Sequence, residues 1–73
     1  MKFQLFTQVA LKEDMPALRL KEGSIGTIVE SYPVTNGREN GYSVEGLILQ
    51  DTVEVSESQI EAIVISLPQT QIN

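Results

Sequence analysis

The 73-residue chain contains no cysteine, no histidine and no tryptophan. Without cysteine there is no disulfide framework, and without cysteine or histidine the usual zinc ligand sets cannot be assembled. The missing histidine also removes the ordinary base for a nucleophilic hydroxyl, so Ser24, Ser31, Ser43, Ser56, Ser58 and Ser66 have nothing of that kind to activate them. Aromatic residues are few: Phe3, Phe6, Tyr32 and Tyr42. A groove for proline-rich peptides needs an aromatic lining that two tyrosines do not supply. The longest apolar runs, such as Leu47-Ile48-Leu49, fall far short of the roughly 20 residues that cross a bilayer as a helix. The opening stretch, residues 1–8, has one base and no long apolar run, so no secretory leader is expected and the cytoplasm is the expected location.

Base is also missing from half of the chain. Lys2, Lys12, Arg19, Lys21 and Arg38 all lie in residues 1–38. From Glu39 onward stand six acids and no base: Glu39, Glu45, Asp51, Glu54, Glu57 and Glu61. The net charge of −5 therefore sits in the second half, where it repels nucleic acid and anionic membranes at long range and keeps a small domain soluble. A chain of this length is one domain at most, and its core supplies no more than about 3–5 kcal/mol of net stability. With 41% hydrophobic residues it has enough apolar content to fold rather than remain disordered.

What is present reads as strands. Phe3, Leu5, Val9 and Leu11 recur at spacing two and would share one face of a strand over residues 3–11. Residues 12–22 are polar and contain Pro16, which marks a long loop anchored by Met15, Leu18 and Leu20. A single helical turn around residues 16–18 is expected there, with Asp14 as its cap and Pro16 in its first turn. The segment Ile25-Gly26-Thr27-Ile28-Val29-Glu30 favours a strand. Ahead of it Gly23 suits a turn with positive φ, and within it Gly26 suits a bulge or a close backbone crossing.

Pro33 ends that strand. Asn36-Gly37 and Asn40-Gly41 signal a loop between antiparallel strands. Strands are expected over residues 42–49 and 52–55, turned at Gln50-Asp51, with Val53 and Val55 inward. Ser56-Glu57-Ser58-Gln59 fits a capping box and introduces one 3₁₀ turn before a last strand over residues 60–65. Five short strands with one such turn give an all-β fold, a small five-stranded SH3-like barrel over residues 1–66, followed by a polar C-terminal tail over 67–73.

The stretch Lys21-Glu22-Gly23-Ser24-Ile25-Gly26-Thr27-Ile28-Val29-Glu30 resembles a signature common in bacterial SH3-like and KOW-like domains. The chain more closely resembles a bacterial family known as domain of unknown function 4926, from about Leu5 to Ile63. The resemblance is carried by Leu5-Phe6, Val9-Ala10-Leu11, Glu13-Asp14-Met15-Pro16, Leu20-Lys21-Glu22-Gly23, Gly26-Thr27-Ile28-Val29-Glu30, Tyr42-Ser43-Val44-Glu45 and Ser58-Gln59-Ile60-Glu61. It implies a fold and carries over no catalytic, cofactor-binding or metal-binding residue.

Other chemistry is poorly supplied. Lys21 beside Ser24 reads as a solvated turn lysine, and Glu54, Glu57 and Glu61 as surface acids. No segment matches a calcium loop. Gly23-Ser24-Ile25-Gly26-Thr27 lacks the G-K-[ST] ending of a phosphate loop and leads into a strand. The chain is therefore expected to be no enzyme, with no cofactor, and to act as a small acidic protein-interaction module. Its expected partner is another protein, met through loops 12–22 and 33–41 or an uncovered strand edge. Arg19, Tyr32, Arg38 and Tyr42 are the expected contact anchors. Self-association through an edge or through residues 65–72 is also open. The alternative is a KOW-like RNA-binding barrel, which would use Lys12, Arg19, Lys21 and Arg38 with Phe6, Tyr32 and Tyr42 as stacking faces.

Overall fold

In the computed structural model, residues 2–33 and 39–63 are described. The chain forms five strands: β1 (Gln8–Leu11), β2 (Ile25–Tyr32), β3 (Gly41–Ile48), β4 (Asp51–Ser56) and β5 (Ile60–Ala62). Two 3₁₀ turns, Pro16–Leu18 and Glu57–Gln59, precede β2 and β5. All pairings are antiparallel, in the order β4-β3-β2-β1-β5. The fold is all-β and small-barrel-like, with the expected 3₁₀ turn before the last strand. The first Asn-Gly pair, the continuation of β5 past Ile63 and the boundary at 66/67 lie outside the described residues.

β1 is shorter than its spacing-two pattern. Phe6 takes a left-handed φ of 66°, which stops extended backbone. Pairing with β2 nevertheless continues across the kink: the Phe6 N–H donates to the Ile28 carbonyl (2.6 Å) and the Ile28 N–H to the Thr7 carbonyl (3.0 Å). The kink breaks the expected alternation. Leu5, assigned to the core face, is exposed, whereas Phe3 still reaches the interior from beyond the turn.

The core holds Phe3, Val9, Leu11, Ile28, Tyr42, Val44, Val53, Val55 and Ile60, with Met15, Leu20, Leu47 and Ile48 packed against it. Val53 and Val55 point inward as the alternation requires. Of the three apolar anchors expected in the first loop, Met15 and Leu20 tuck under, and Leu18 stays exposed.

Gly26 is a close crossing and not a bulge. A Cβ there would collide with Val44 Cγ1 and stand 2.8 Å from the Glu45 carbonyl oxygen. Register shifts occur instead between Ile28 and Glu30 in β2 and between Glu45 and Ile48 in β3, the latter containing Gly46 at φ 97°. Each extra residue bends its strand and sharpens the twist, which lets a five-stranded sheet curl over its own core.

Gly26→Ala is expected to cost about 1–3 kcal/mol, the usual penalty of overpacking. Gly41→Ala, whose Cβ would meet nothing nearer than 3.8 Å, is expected to be close to neutral. Urea unfolding of the two variants beside the parent checks this, and equal costs would contradict the crossing.

Candidate interaction surface

The β1–β2 loop is a folded unit with its own backbone bonds. The Met15 N–H donates to the Leu20 carbonyl (2.8 Å) and the Leu20 N–H to the Met15 carbonyl (3.1 Å), closing a small ring around the 3₁₀ turn Pro16–Leu18. Arg19 ends that turn at φ 58°, its N–H donating to the Pro16 carbonyl. Asp14 does not cap the turn. Its Oδ1 accepts from the Glu22 N–H (2.8 Å) and so ties the two limbs of the loop together. Gly23, at φ 90°, lets the chain return: its N–H donates to the Leu11 carbonyl (2.8 Å), while Ser24 Oγ donates to the Lys21 carbonyl (2.7 Å). These bonds hold the backbone of the loop from within.

A shallow hollow of about 260 Å³ opens on this loop, lined by Asp14, Pro16, Arg19, Leu20 and Lys21. It brings Arg19 and Lys21 together over apolar walls. Neither cation is in an ion pair among the described residues. A wider hollow of about 780 Å³ runs along residues 45–52 and is bordered by Glu45 and Asp51, with no base in its lining. Among the described residues, no group of three acidic, histidine or cysteine side chains is placed to hold a metal ion.

The other expected anchors fare differently. Tyr32 is 39% exposed, but its hydroxyl is occupied, donating to Glu30 Oε2 (2.9 Å) and meeting Ser43 Oγ (2.8 Å). Arg38 lies outside the described residues. Tyr42 is no surface anchor: its exposure is 0%. β3 is the middle of the β2–β3–β4 meander, and position 42 faces inward between Ser31 and Val55. This also removes Tyr42 as a stacking face. Phe6, by contrast, is 74% exposed, and Leu49 at the β3–β4 turn is 93% exposed.

Tyr42 instead organises a polar network at the edge of the core. Its ring meets Phe3 edge-on, with centroids 5.5 Å apart at 76°. Its hydroxyl donates to Glu57 Oε2 (2.5 Å) and accepts from the Phe3 N–H (3.3 Å). Asn40 Nδ2 donates to the same carboxylate (3.1 Å), and the Asn40 carbonyl accepts the Glu57 N–H (3.0 Å). One position along, Glu39 accepts from the N–H and hydroxyl of Ser58 (2.7 and 2.9 Å). Burial, reinforced by the Glu57 carboxylate, raises the Tyr42 pKa above its ordinary value. The hydrogen bonds from Tyr42 and then Asn40 hold Glu57 below the usual carboxylate range. Sequence reasoning passed over this network because a tyrosine in an alternating strand signals neither inside nor outside, and its partner lies 15 residues away.

Residues 5–47 match a known family, described as Domain of unknown function (DUF4926). The chain belongs to that family. The matched region runs from the Leu5-Phe6 kink through β1, the first loop and β2 into β3, so the Arg19–Lys21 hollow lies wholly within the family region. No curated protein and no solved structure matches the chain.

The titration of the Tyr42–Glu57 pair predicts two limbs of pH dependence. Glu57 titrates lower in the folded state, so its contribution to stability is complete above the ordinary carboxylate range and is lost as pH falls through that range to its lowered value. Tyr42 titrates higher, so its contribution is complete below its ordinary range and is lost as pH rises through it. Urea midpoints measured against pH are expected to show a flatter acid limb for Glu57→Gln, and flatter acid and alkaline limbs for Tyr42→Phe. Unchanged slopes in both variants would refute the pairing.

Proposed function

We propose that the protein is a small, acidic, non-catalytic module of the cytoplasm that binds another protein and serves as an accessory or regulatory subunit. The reading rests on the β1–β2 loop. Its backbone is fixed by its own hydrogen bonds, and it turns Arg19 and Lys21, with the apolar walls of Pro16 and Leu20, toward solvent. A preordered loop avoids the ordering cost that a flexible one would incur on binding. Arginine beside an apolar floor is also a common makeup for a contact hot spot. Charge complementarity selects the partner surface: an acidic side chain next to an apolar one.

The nucleic-acid reading would use the same Arg19 and Lys21. It has to overcome the net charge of −5 and the six acids of the second half. No helix among the described residues is long and apolar enough to cross a membrane.

Affinity capture from native lysate, with the parent protein and an Arg19→Glu/Lys21→Glu variant side by side, tests the proposal. The parent is expected to retain a protein partner that the folded variant loses. On heparin at low salt neither is expected to be retained. Retention of the parent that the charge reversal abolishes, with no protein captured, would favour nucleic acid instead.

A further inference from the structure

Among the described residues, β4 is an outer strand of the sheet and has β3 alone as its neighbour. An edge of this kind offers backbone groups to any extended chain, whether a second copy or a partner peptide. In an antiparallel pair, successive residues point their backbone groups alternately toward the neighbour and away from it. The bond from the Glu57 N–H to the Asn40 carbonyl sets the phase of that alternation, because it lies one step beyond the Gly41–Ser56 pair. Val55 and Val53 therefore bond to β3, and Ser56, Glu54 and Thr52 direct their amides to the free edge.

Two of those three amides are already occupied. The Thr52 N–H donates to Asp51 Oδ1 (2.8 Å), and the Ser56 N–H to Gln59 Oε1 (2.8 Å). The second bond is half of the capping box that starts the turn Glu57–Gln59, so one side chain both begins that turn and covers the strand edge. The Glu54 amide stands between them with no cap from the described residues.

We infer that Asp51 and Gln59 guard the edge of β4. They occupy the donors an added strand would need, and β4 accepts neither a second copy nor an extended peptide. A second copy meets a further obstacle. The antiparallel twofold pairing that uses all three outward residues is centred on Glu54, which places like charges directly opposite each other. The inference is independent of the loop-docking proposal, and it directs partner recognition to side chains and away from strand addition at β4.

Amide hydrogen exchange followed by NMR tests the guard in the parent protein. Thr52 and Ser56 are expected to exchange slower than Glu54 by roughly fivefold or more, the protection that one modest hydrogen bond confers. Sedimentation provides a second arm. Glu54→Thr, with both guards in place, is expected to stay at monomer mass. The triple variant Asp51→Ala/Glu54→Thr/Gln59→Ala is expected to double in mass as its concentration rises. Three results would overturn the inference: Thr52 and Ser56 exchanging as fast as Glu54, a Glu54 amide in the parent that gains protection with protein concentration, or a triple variant that keeps its circular dichroism and remains monomeric. If the triple variant does not fold, the exchange pattern of the parent decides alone.

Discussion

The hydroxyl of Tyr42 is the point on which the parts outside the sheet converge. Its ring is buried in the core, and a hydroxyl buried with it is costly unless it is hydrogen-bonded. Two separate segments meet that demand: the N-terminal stretch brings the Phe3 N–H and the turn before β5 brings the Glu57 carboxylate, which Asn40, on the approach to β3, holds with a bond of its own. Because Glu57 must lie within reach of the hydroxyl, the turn Glu57–Gln59 is pinned over the start of β3. The direction in which β5 leaves toward β1 follows from that. Glu39 and Ser58 add a second tie across the same seam.

Seen from this node, the acidity of the second half is partly structural. Glu57 and Glu39 serve as acceptors for amides and hydroxyls, and Asp51 accepts the amide of its own neighbour. Such bonds use a carboxylate's capacity to accept several donors and need no cation. A chain without a base after Arg38 can therefore still employ its acids in holding the fold together. Glu45, Glu54 and Glu61 remain exposed and keep the small domain charged on its outside.

Much of the architecture was legible because the local signals were strong. Pro16, Pro33, Gly23 and the Ser56-x-x-Gln59 box fixed the first 3₁₀ turn, the end of β2, the return of the loop and the second 3₁₀ turn. The element order matched the small barrel expected from them. The failures have a common physical source, which is that alternation assumes extended backbone. Phe6 leaves that region and the alternation breaks there, so Leu5 faces solvent although Phe3 still reaches the core. Tyr42 defeated the surface reading because an amphipathic ring fits either face, and the deciding partners are distant in sequence. Asp14 was read as a cap by proximity, whereas its better-placed donor is the Glu22 amide across the loop. Of the expected anchors among the described residues, Arg19 and Tyr32 reach the surface, and the Tyr32 hydroxyl is engaged by Glu30 and Ser43.

The mutual bond between Met15 and Leu20 isolates residues 16–19 from the strands on either side. The strands sense only where the chain departs and where it rejoins, and both points are set by side chains that reach the core. What lies between them is a self-contained turn, so a substitution at the exposed Ala17 or Leu18 changes the surface the loop presents while β1 and β2 keep their register.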